Sequence, residues 1–532
     1  MARNSEKKTG PLVSVLIPTF NRSAYLSAAL ASALRQTYVN IEVIVVNDGG
    51  QDVSDVVNSF EDRRVIFINR SQNRGKAFSL NEALTRAGGK YVAYLDDDDL
   101  YYPRHIETLV NALENQTDCQ VAYSDFYKVC CRVSQDGTRQ VLSKVLEVSR
   151  DFDRFFMLYF NHVLHVCLMH CRDLLEKTGP YNENLNVLID WDINRRLVFF
   201  SDFHHVPEIT GEYYSPIGRC DRISVLQREN ESEYLRNILT IRTTRPSNPW
   251  SRIKDTSIII DADRLDGQAG RTIGAVWRYT FFPYKLYLPL PRADAGRLNT
   301  DMPNIVLVPV NPLFSHIQRV DAALEMCDGE YVGIVPVGFP VKDFWIENSL
   351  YVLINSSALS SLPKGGSDGR EGFELEGSTD AVWAVVLRKA DLQYARNSFP
   401  HLPLRQSLEA AGIVIRRPNS EEIPFRFDNL LQQAQSATKN GSFAEAAWIF
   451  EYIADHHQNR LWMKALAAKA FFQAGDHTRA AQLTSEVNQQ RPTVDTLLLE
   501  AILNRKKKKF NPAIELLKKA EQMLEGTELL WT

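Results

Sequence analysis

Four consecutive aspartates, Asp96–Asp99, are the residues of this chain whose types and spacing most directly suggest chemistry. Like charges on adjacent residues repel one another, so without a cation at least one of these carboxyl groups would be driven toward protonation. A divalent cation relieves this repulsion, because hard metal ions bind oxygen ligands, and carboxylates together with phosphate oxygens suit Mn²⁺ or Mg²⁺. The alternative is a solvated acidic turn, which is the commoner fate of a charge run.

The position of the four acids favours the metal site. They follow Tyr91–Leu95, a short apolar segment bounded by turn residues, which predicts a buried strand. A helical pattern precedes this strand and ends at Gly88–Gly89, where glycine can adopt the left-handed cap conformation. Open α/β sheets bind ligands beyond the carboxyl ends of their strands. The acids therefore stand where such a sheet would place a ligand.

Three more strands are predicted upstream, and each ends in polar residues. The strands are Val13–Ile17, Ile41–Val46 and Val65–Ile68, and the polar residues after them are Pro18–Arg22, Asn47–Gly50 and Asn73–Lys76. Strands that alternate with helices predict an α/β domain with a mostly parallel, Rossmann-like sheet. Because successive strand ends meet at one edge of such a sheet, we expect one cleft to contain Thr19, Asp48, Arg74 and Asp96–Asp99.

The segments VSVLIPTFNR, VIVVNDGG, NRGKAFSLNEAL and YVAYLDDDDLYYP, in this order, resemble the sequence blocks of family 2 glycosyltransferases, which have the GT-A fold. The resemblance covers residues 11 to about 225. It implies a metal-dependent enzyme that moves a sugar from a nucleotide-diphosphate sugar, with UDP as the expected nucleotide, to a carbohydrate or glycoconjugate acceptor. The resulting expectation is a role in polysaccharide or glycoconjugate synthesis.

The resemblance also assigns donor-binding roles to individual residues. It places the carboxylate that reads the nucleotide base on Asp48, although Asn47 stands where the family usually has a second acid. Asp97 matches the acid that contacts the ribose, and Asp98 matches the acid that binds the metal. A register one residue earlier would use Asp96 and Asp98 instead.

A candidate general base lies at the start of a predicted helix near residue 190. Two acids in a first helical turn, Asp190 and Asp192, are favoured by the helix dipole alone. The family's acidic motif places the base on Asp190, with Ile189 standing in place of the motif's first acid, and Asp192 is the alternative. One base, without a second carboxylate as nucleophile, predicts single displacement with inversion at the sugar carbon.

A polar loop is predicted downstream of this helix. It contains Tyr213, Arg219 and Arg222. A basic residue there could meet the diphosphate of a donor, or could be an ordinary surface charge.

A second module is predicted for residues 256–418, after a Pro/Ser-rich break at 243–252 that ends the first module, residues 11–240. Residues 323–347 align without a gap on residues 83–107, so helix, glycine turn and strand recur. The four acids are replaced by Pro336–Phe339. The pattern predicts a second GT-A-like unit that is degenerate and binds no metal, whereas the alternative is an unrelated α/β domain.

Residues 427–532 form a third predicted module, made of helical repeats. Gly441–Ala446 recurs 34 residues later as Gly475–Ala480, and Lys508–Ala513 is a weaker copy. This period is typical of tetratricopeptide (TPR) repeats, which stack into a solenoid with an extended surface for a protein partner. The basic run Arg505–Lys509 is interpreted as a solvated face in preference to a contact with anionic lipid or acidic peptide.

Composition excludes several other classes of protein. A net charge of −4 disfavours a general nucleic-acid binder. Seven cysteines without a CxxC pair indicate neither a disulfide framework nor a zinc site, and no apolar run approaches the ~18 residues of a membrane helix. We therefore expect a cytoplasmic protein, with peripheral membrane association left open.

The rival hypotheses to a glycosyltransferase are a non-catalytic scaffold and, less favoured, a nucleotidyltransferase.

Overall fold

The computed structural model describes most of residues 10–528 and divides the chain into two compact units. The gaps within that range are residues 117, 135–136, 146–150, 160, 217–230, 296–302, 343, 360–369, 376–377, 380–382, 420–421, 424–425, 440 and 457–460. Unit 1 comprises Met1–Tyr234, Pro246–Asn248 and Asp428–Thr532, and unit 2 comprises Leu235–Arg245 and Pro249–Phe427. The C-terminal helices thus belong to the same compact unit as the first sheet, whereas the sequence pattern separated them at residue 427.

One nine-stranded sheet forms the centre of unit 1. Its strands are β1 (Val13–Thr19), β2 (Ile41–Asn47), β3 (Val65–Asn69), β4 (Tyr91–Tyr94), β5 (Leu100–Tyr101), β6 (Cys119–Val133), β7 (Arg139–Val145), β8 (Leu168–Cys171) and β9 (Asp202–Pro216). Their order is β3-β2-β1-β4-β8-β6-β9-β5, with β7 paired to β6. The first four strands are parallel, β8 is antiparallel to both neighbours, and β6 is parallel to β9. The predicted α/β domain with a mostly parallel sheet is confirmed.

Seven helices precede residue 200 in unit 1. They are α1 (Ser23–Leu34), α2 (Ser54–Asn58), α3 (Lys76–Arg86), α4 (His105–Asn115), α5 (Arg154–Tyr159), α6 (Leu174–Thr178) and α7 (Ile189–Leu197). Strands β1 and β2 are buried at nearly every position, as expected of strands covered on both faces. The helices α1, α3, α4 and α7 each bury apolar residues along their length.

Unit 2 contains a seven-stranded sheet. Its strands are β10 (Thr256–Asp261), β11 (Tyr284–Pro291), β12 (Ile305–Val310), β13 (Tyr331–Pro336), β14 (Glu371–Glu374), β15 (Val385–Arg388) and β16 (Val414–Arg416). The helices of this region are α8 (Glu231–Thr243), α9 (Gly267–Tyr279), α10 (Arg292–Ala295), α11 (His316–Met326), α12 (Glu347–Leu359), α13 (Lys389–Ser398) and α14 (Leu404–Ala410). The strand order is β12-β11-β10-β13-β15-β14-β16.

This order is that of β3-β2-β1-β4-β8-β6-β9 in unit 1, strand for strand. The strand directions agree as well: the first four are parallel, β15 is antiparallel to both neighbours, and β14 is parallel to β16. A local detail also recurs. The N–H of Gly89 donates to Ser14 Oγ at 2.9 Å, and the N–H of Gly329 donates to Ser257 Oγ at 3.0 Å.

Six helices follow unit 2 in the chain and belong to unit 1. They are α15 (Arg426–Lys439), α16 (Phe443–His456), α17 (Leu461–Gln473), α18 (His477–Gln490), α19 (Val494–Lys506) and α20 (Phe510–Glu528). From α16 onward each helix contacts the next, and α19 also contacts β7. Gly441, Gly475 and Lys508, the first residues of the three repeat copies, all have positive φ values of 78°, 91° and 58°. The C-terminal helical region is confirmed.

None of the described helices combines the length and the apolar character that crossing a bilayer demands.

Candidate active site

Asp48, directly after β2, receives three hydrogen-bond donors. The backbone N–H groups of Arg74 and Gly75 donate to its two carboxylate oxygens at 2.9 and 2.8 Å. The Arg70 guanidinium lies 2.8 Å from Oδ1. The loop that follows β3 is therefore fixed against the end of β2. Two of the predicted donor-binding residues, Asp48 and Arg74, are in direct contact.

The four aspartates at the end of β4 fall into two environments. Carboxylate oxygens of Asp96, Asp98 and Asp99 lie within 4.8 Å of one another, an arrangement that offers three ligand atoms to one cation. The carboxylate of Asp97 lies outside this group and accepts a hydrogen bond of 2.6 Å from Thr19 Oγ1 at the end of β1. The structure thus brings together the ends of β1 and β4, as predicted.

The carboxylates of the acidic segment form ion pairs with Lys76 and Arg22. Lys76 Nζ, at the start of α3, lies 2.5 Å from Asp96 Oδ1. Arg22 Nη1 lies 2.8 Å from Asp98 Oδ2 and 3.4 Å from Asp97 Oδ1. Arg22, after β1, and Lys76, at the start of α3, thus offset part of the negative charge of the four acids.

The surroundings separate the pKa values of neighbouring acids. Burial raises the pKa of Asp97 to about 7, and the adjacent charge of Asp98 adds to the effect. Burial also acts to raise the pKa of Asp96, but the charge of Lys76 opposes it, and the net result is a lowered pKa. Crowded carboxylates of this kind are stabilised in the charged form by a cation.

Two strands that both pair with β6, namely β7 and β9, support the acidic segment. The N–H of Tyr214 in β9 donates to Asp99 Oδ1 at 2.8 Å. Arg139 in β7 donates to the carbonyl oxygen of Asp98 at 2.7 Å, and its guanidinium stacks on the rings of Tyr25 and Tyr214. The sequence pattern missed these supports, because the contacts connect segments that are far apart in the chain.

Asp190 lies in the first turn of α7, next to the acidic cluster. The charges of Lys76 and Asp96 both act on its carboxyl group, and burial raises its pKa. Asn161 Nδ2 donates to Asp190 Oδ2 at 2.9 Å, and Asn194 in turn donates to Asn161 Oδ1 at 3.1 Å. One carboxylate oxygen is therefore held in place by an amide chain that the sequence pattern did not identify.

Asp192, two residues further along α7, has a different partner. Its Oδ2 accepts from Arg196 Nη2 at 2.6 Å and from Arg196 Nε at 3.1 Å. The side chain is almost fully buried. This ion pair is the i, i+4 contact of a helix, and it engages Asp192 in packing α7.

The remaining predicted loop residues are only partly described. Tyr213 lies within β9, paired with Lys128 of β6, so the prediction that it belongs to a polar loop was wrong. The alternation of the β9 sequence is weak, and the strand is stabilised by its long pairing with β6. Arg219 and Arg222 lie outside the described residues.

Of the cationic contacts, Lys76 had the clearest signal in the sequence. It directly follows Gly75 after a predicted strand, at the edge of the sheet where the acids also stand. Arg22 is the corresponding residue after β1. Asn161 carried no such signal, since it lies in an irregular segment, 29 residues before Asp190.

Comparison with known proteins gives matches to the first half of the chain. Residues 14–172 match the model of the family "Glycosyl transferase family 2". The uncharacterized glycosyltransferase RP339 of Rickettsia prowazekii is 31% identical over 193 residues, which are 34% of this chain and 57% of that protein. The glucosyltransferase WfaP of Escherichia coli, named as acting from UDP-Glc on α-D-GlcNAc-diphosphoundecaprenol, is 36% identical over 117 residues, 22% of this chain and 46% of that protein.

A solved structure of TarS from Staphylococcus aureus, residues 1–349 in complex with UDP-GlcNAc, is also similar, at 18% identity and a TM-score of 0.35. The match covers 43% of this chain and 66% of that one. The chain spans about half the length of the curated relatives named above. The acidic strand end, β1 to β4 and β8 all fall within the matched residues. The chain therefore carries a glycosyltransferase family 2 domain at residues 14–172.

Proposed function

We propose that unit 1 transfers a sugar from a nucleotide-diphosphate sugar to a hydroxyl of a carbohydrate or glycoconjugate acceptor. The proposed donor is a UDP-sugar. The acceptor oxygen forms a bond to the anomeric carbon, the bond from that carbon to the diphosphate oxygen breaks, and the hydroxyl proton passes to a carboxylate of the protein. The observation that carries this proposal is the cluster of Asp96, Asp98 and Asp99 at the end of β4, within a glycosyltransferase family 2 domain. Lys76, which contacts Asp96, directly follows Gly75, whose N–H donates to Asp48, and the charge of Lys76 also acts on Asp190.

The ends of β1, β2 and β3 are the proposed site of the nucleotide. Asp48 is proposed to read the base, Thr19 and Asp97 to meet the ribose, and Arg74 to face the nucleotide. The guanidinium of Arg74 lies 3.4 Å from the centre of the Phe78 ring, which orients its plane. Support for a uracil base comes from the matched WfaP, whose name specifies UDP-Glc.

A divalent cation, Mn²⁺ or Mg²⁺, fits the acidic cluster. The donor set consists of carboxylates, which hard cations prefer, and three of their oxygens are within 4.8 Å of one another. Asp98 and Asp96 would hold the ion, and Asp99 is the third candidate ligand. When bound, such an ion supplies positive charge that stabilises the leaving diphosphate.

Asp190 is the proposed general base. Burial raises its pKa toward the range in which a carboxylate accepts a proton from an acceptor hydroxyl most effectively. Asp192 is paired with Arg196, whereas the charges of Lys76 and Asp96 act on the carboxyl group of Asp190. A single base, with no second carboxylate as nucleophile, implies direct displacement and inversion of the anomeric configuration.

Unit 2 is proposed to be a degenerate GT-A-like unit without catalytic activity. At the end of β13 the residues are Pro336 to Phe339, none of them acidic, in place of the four acids at the end of β4. At the end of β10, Asp261 is neutralised within the unit by Arg319 Nε at 2.8 Å and His316 Nδ1 at 2.5 Å. Asp261 is thus a single, ion-paired carboxylate, whereas unit 1 has three clustered carboxylates at the end of β4.

The helices α16 to α20 are proposed to form a short TPR-like array. The positive φ shared by Gly441, Gly475 and Lys508 supports three equivalent turns. Such arrays bind partners on extended surfaces, and we propose a protein or acceptor contact for the faces of α16 to α18.

Hydrolysis of nucleotide sugars tests the enzyme against the scaffold alternative. The full chain is incubated with a panel of UDP-, GDP- and TDP-sugars, with Mn²⁺ or with EDTA, and nucleotide release is measured. We expect slow, EDTA-sensitive release from one class of donor, which Asp98→Ala abolishes. Absence of release from every donor, together with no nucleotide binding by calorimetry, would favour the scaffold.

A further inference from the structure

An exposed apolar row lies on the last two helices of the chain. Large apolar side chains that are exposed in the described part of the protein are concentrated there, at Leu498, Ile502, Phe510, Ile514 and Leu517. Leu498 and Ile502 are four residues apart in α19. In α20 the spacing from Phe510 is four and then three residues, so each set occupies one helix face.

This row is separate from the contact that holds the two helices together. The core between α19 and α20 consists of Val494, Leu497 and Ala520, with Leu516 and Met523 packed against it. By contrast, Phe510 is 58%, Ile514 50% and Leu517 46% exposed. The apolar surface of α20 therefore extends beyond the part that its neighbour covers.

A dense positive charge accompanies the exposed row. Residues 498–521 contain seven lysines and arginines and three glutamates, although the whole chain has a net charge of −4. Five of the basic residues form the continuous run Arg505–Lys509, which joins the two helices and is exposed throughout. Lys518 follows Ile514 by four residues and so lies on the same face of α20.

The exposed apolar row and the positive charge together indicate the chemistry of the binding partner. Anionic lipid headgroups attract basic segments by roughly 1 kcal/mol per lysine or arginine, and large apolar side chains enter the boundary between headgroups and acyl chains. Stable association with a bilayer surface generally needs two such signals together. A second copy of the chain fits less well, because a symmetric contact through this face would bring two basic runs together.

We infer that the exposed face of α19 and α20, with the Arg505–Lys509 run, docks the protein on an anionic lipid bilayer. The inference is independent of the proposed catalytic activity. It replaces the interpretation of the basic run as a solvated face, because solvation of the charges does not explain the exposed apolar side chains beside them. The bilayer would be bound at its surface, by side chains of helices that do not cross it.

Co-sedimentation of the full chain with vesicles tests the inference. The vesicles are either pure phosphatidylcholine or an equimolar mixture with phosphatidylglycerol, at about 0.15 M salt, where charges further apart than about 8 Å are screened. We expect binding to the anionic vesicles only. The triple variant Lys507→Glu/Lys508→Glu/Lys509→Glu should lower the partition coefficient by about a hundredfold, since each basic residue near such a surface contributes roughly fivefold.

A second variant and a matched control complete the experiment. Phe510→Ser/Leu517→Ser removes apolar side chains without altering charge and should also weaken binding, with the helical circular dichroism retained. The control Lys254→Glu/Arg264→Glu/Leu313→Ser changes exposed residues of the same types elsewhere and should bind like wild type. Equal binding by the charge variant or the absence of vesicle binding overturns the inference. So does a solution dimer, seen by light scattering, that Phe510→Ser/Leu517→Ser dissociates.

Discussion

Two carboxyl groups two residues apart in α7 have different surroundings, and this difference underlies the proposal that Asp190 is the base. Asp192 is paired through its Oδ2 with Arg196, in the interior of the domain. Asp190 is held by a neutral amide, Asn161, and burial raises its pKa. A base with a raised pKa is better matched to a hydroxyl proton at neutral pH.

The variant Asp190→Asn should therefore retain nucleotide binding and lose sugar transfer by about 10²- to 10⁴-fold, the usual contribution of a positioned base. The amide is isosteric, so Asn161 can still lie beside it. Single-turnover transfer measures the loss, and calorimetry with UDP and Mn²⁺ measures donor binding.

Asp192→Asn is the matched control. It removes the charge partner of Arg196 in a buried position, so we expect a lower melting temperature with transfer retained in the folded fraction. If Asp192→Asn abolishes transfer while Asp190→Asn has near wild-type activity, Asp192 is the base.

Asn161 should set the pH range in which Asp190 works. Its amide donates to Asp190 Oδ2, and a donor stabilises the charged form of a carboxyl group. Removing this donor in Asn161→Ala should raise the already raised pKa of Asp190 further. A base is active only when deprotonated, so the acid limb of the kcat/KM profile should move to higher pH.

The isosteric variant Asn161→Asp gives a graded comparison. A second carboxylate beside Asp190 disfavours its charged form more strongly, so the acid limb should move further than in Asn161→Ala. At pH values above the new limb, both variants should recover activity. A loss that is the same at every pH would mean that Asn161 acts on the fold and does not tune the base.

At the scale of elements, the sequence was informative where a strand and its following loop are contiguous. The run Val13–Thr19 is apolar and then polar, so both β1 and its position at the cleft could be predicted. The ribbon of β6, β7 and β9 could not, because its stability comes from pairing across tens of residues rather than from local pattern. For the same reason Asp48, Asp98 and Asp190 could be proposed from the sequence. Arg139, which contacts Asp98, and Asn161, which contacts Asp190, could not.

The turn before β4 recurs before β13, and it depends on glycine in both. A Cβ atom at Gly89 would lie 2.6 Å from the backbone nitrogen of Ser14, and one at Gly329 would lie 2.6 Å from that of Ser257. Backbone atoms of a strand cannot move aside to relieve such a clash, whereas a flexible side chain can. Gly89→Ala and Gly329→Ala should each therefore lower the free energy of unfolding by about 1–3 kcal/mol, the usual cost of overpacking.

Gly270→Ala is the control for this pair. Gly270 lies in α9, and its added Cβ would have no atom within 4 Å. Alanine in a helix interior should raise stability by about 0.5–1 kcal/mol. Chemical denaturation compares the three variants. A stable Gly329→Ala protein alongside a destabilised Gly89→Ala protein would argue against equivalent turns in the two sheets.

At the scale of the whole molecule, the C-terminal helices are attached to the first sheet through a buried charge. Arg491, at the end of α18, forms an ion pair with Asp125 of β6, whose side chain is almost fully buried. His205 of β9 lies 2.9 Å from the same carboxylate. A cation from the helical region thus completes a charge cluster inside the sheet.

Deletion of residues 428–532 should therefore lower the melting temperature while leaving nucleotide-sugar hydrolysis measurable. The deleted segment contains none of the proposed site residues, but the loss of Arg491 leaves Asp125 without one of its cations. In the full chain, a double-mutant cycle of Arg491→Met and Asp125→Asn isolates the pair, and we expect a coupling of about 0.5–3 kcal/mol. Additive effects, or a folded truncation without hydrolysis, would contradict this account.

The two sheets share one strand order, but among the described residues a cluster of three acids is found only at the first. This difference leads to a prediction about the number of donor sites per chain. In unit 1, Asp96, Asp98 and Asp99 place three carboxylate oxygens within 4.8 Å. In unit 2, the positions that align with the four acids, Pro336–Phe339, carry no carboxylate, and Asp261 beside Pro336 is already paired with His316 and Arg319. A hard cation bound to a nucleotide depends on charged oxygen ligands, for which backbone carbonyls and water are weak substitutes.

We therefore expect one site for UDP with Mn²⁺ per chain by calorimetry, and none in Asp98→Ala. Asp261→Ala is the matched change in unit 2 and should leave both the stoichiometry and the affinity unchanged, because its carboxylate is engaged by an arginine and a histidine. Two sites in the wild-type protein would mean that the second sheet also binds a nucleotide. So would a single site that remains in Asp98→Ala and is lost when Asp261→Ala is added. In either case the second sheet would have kept a function as well as a fold.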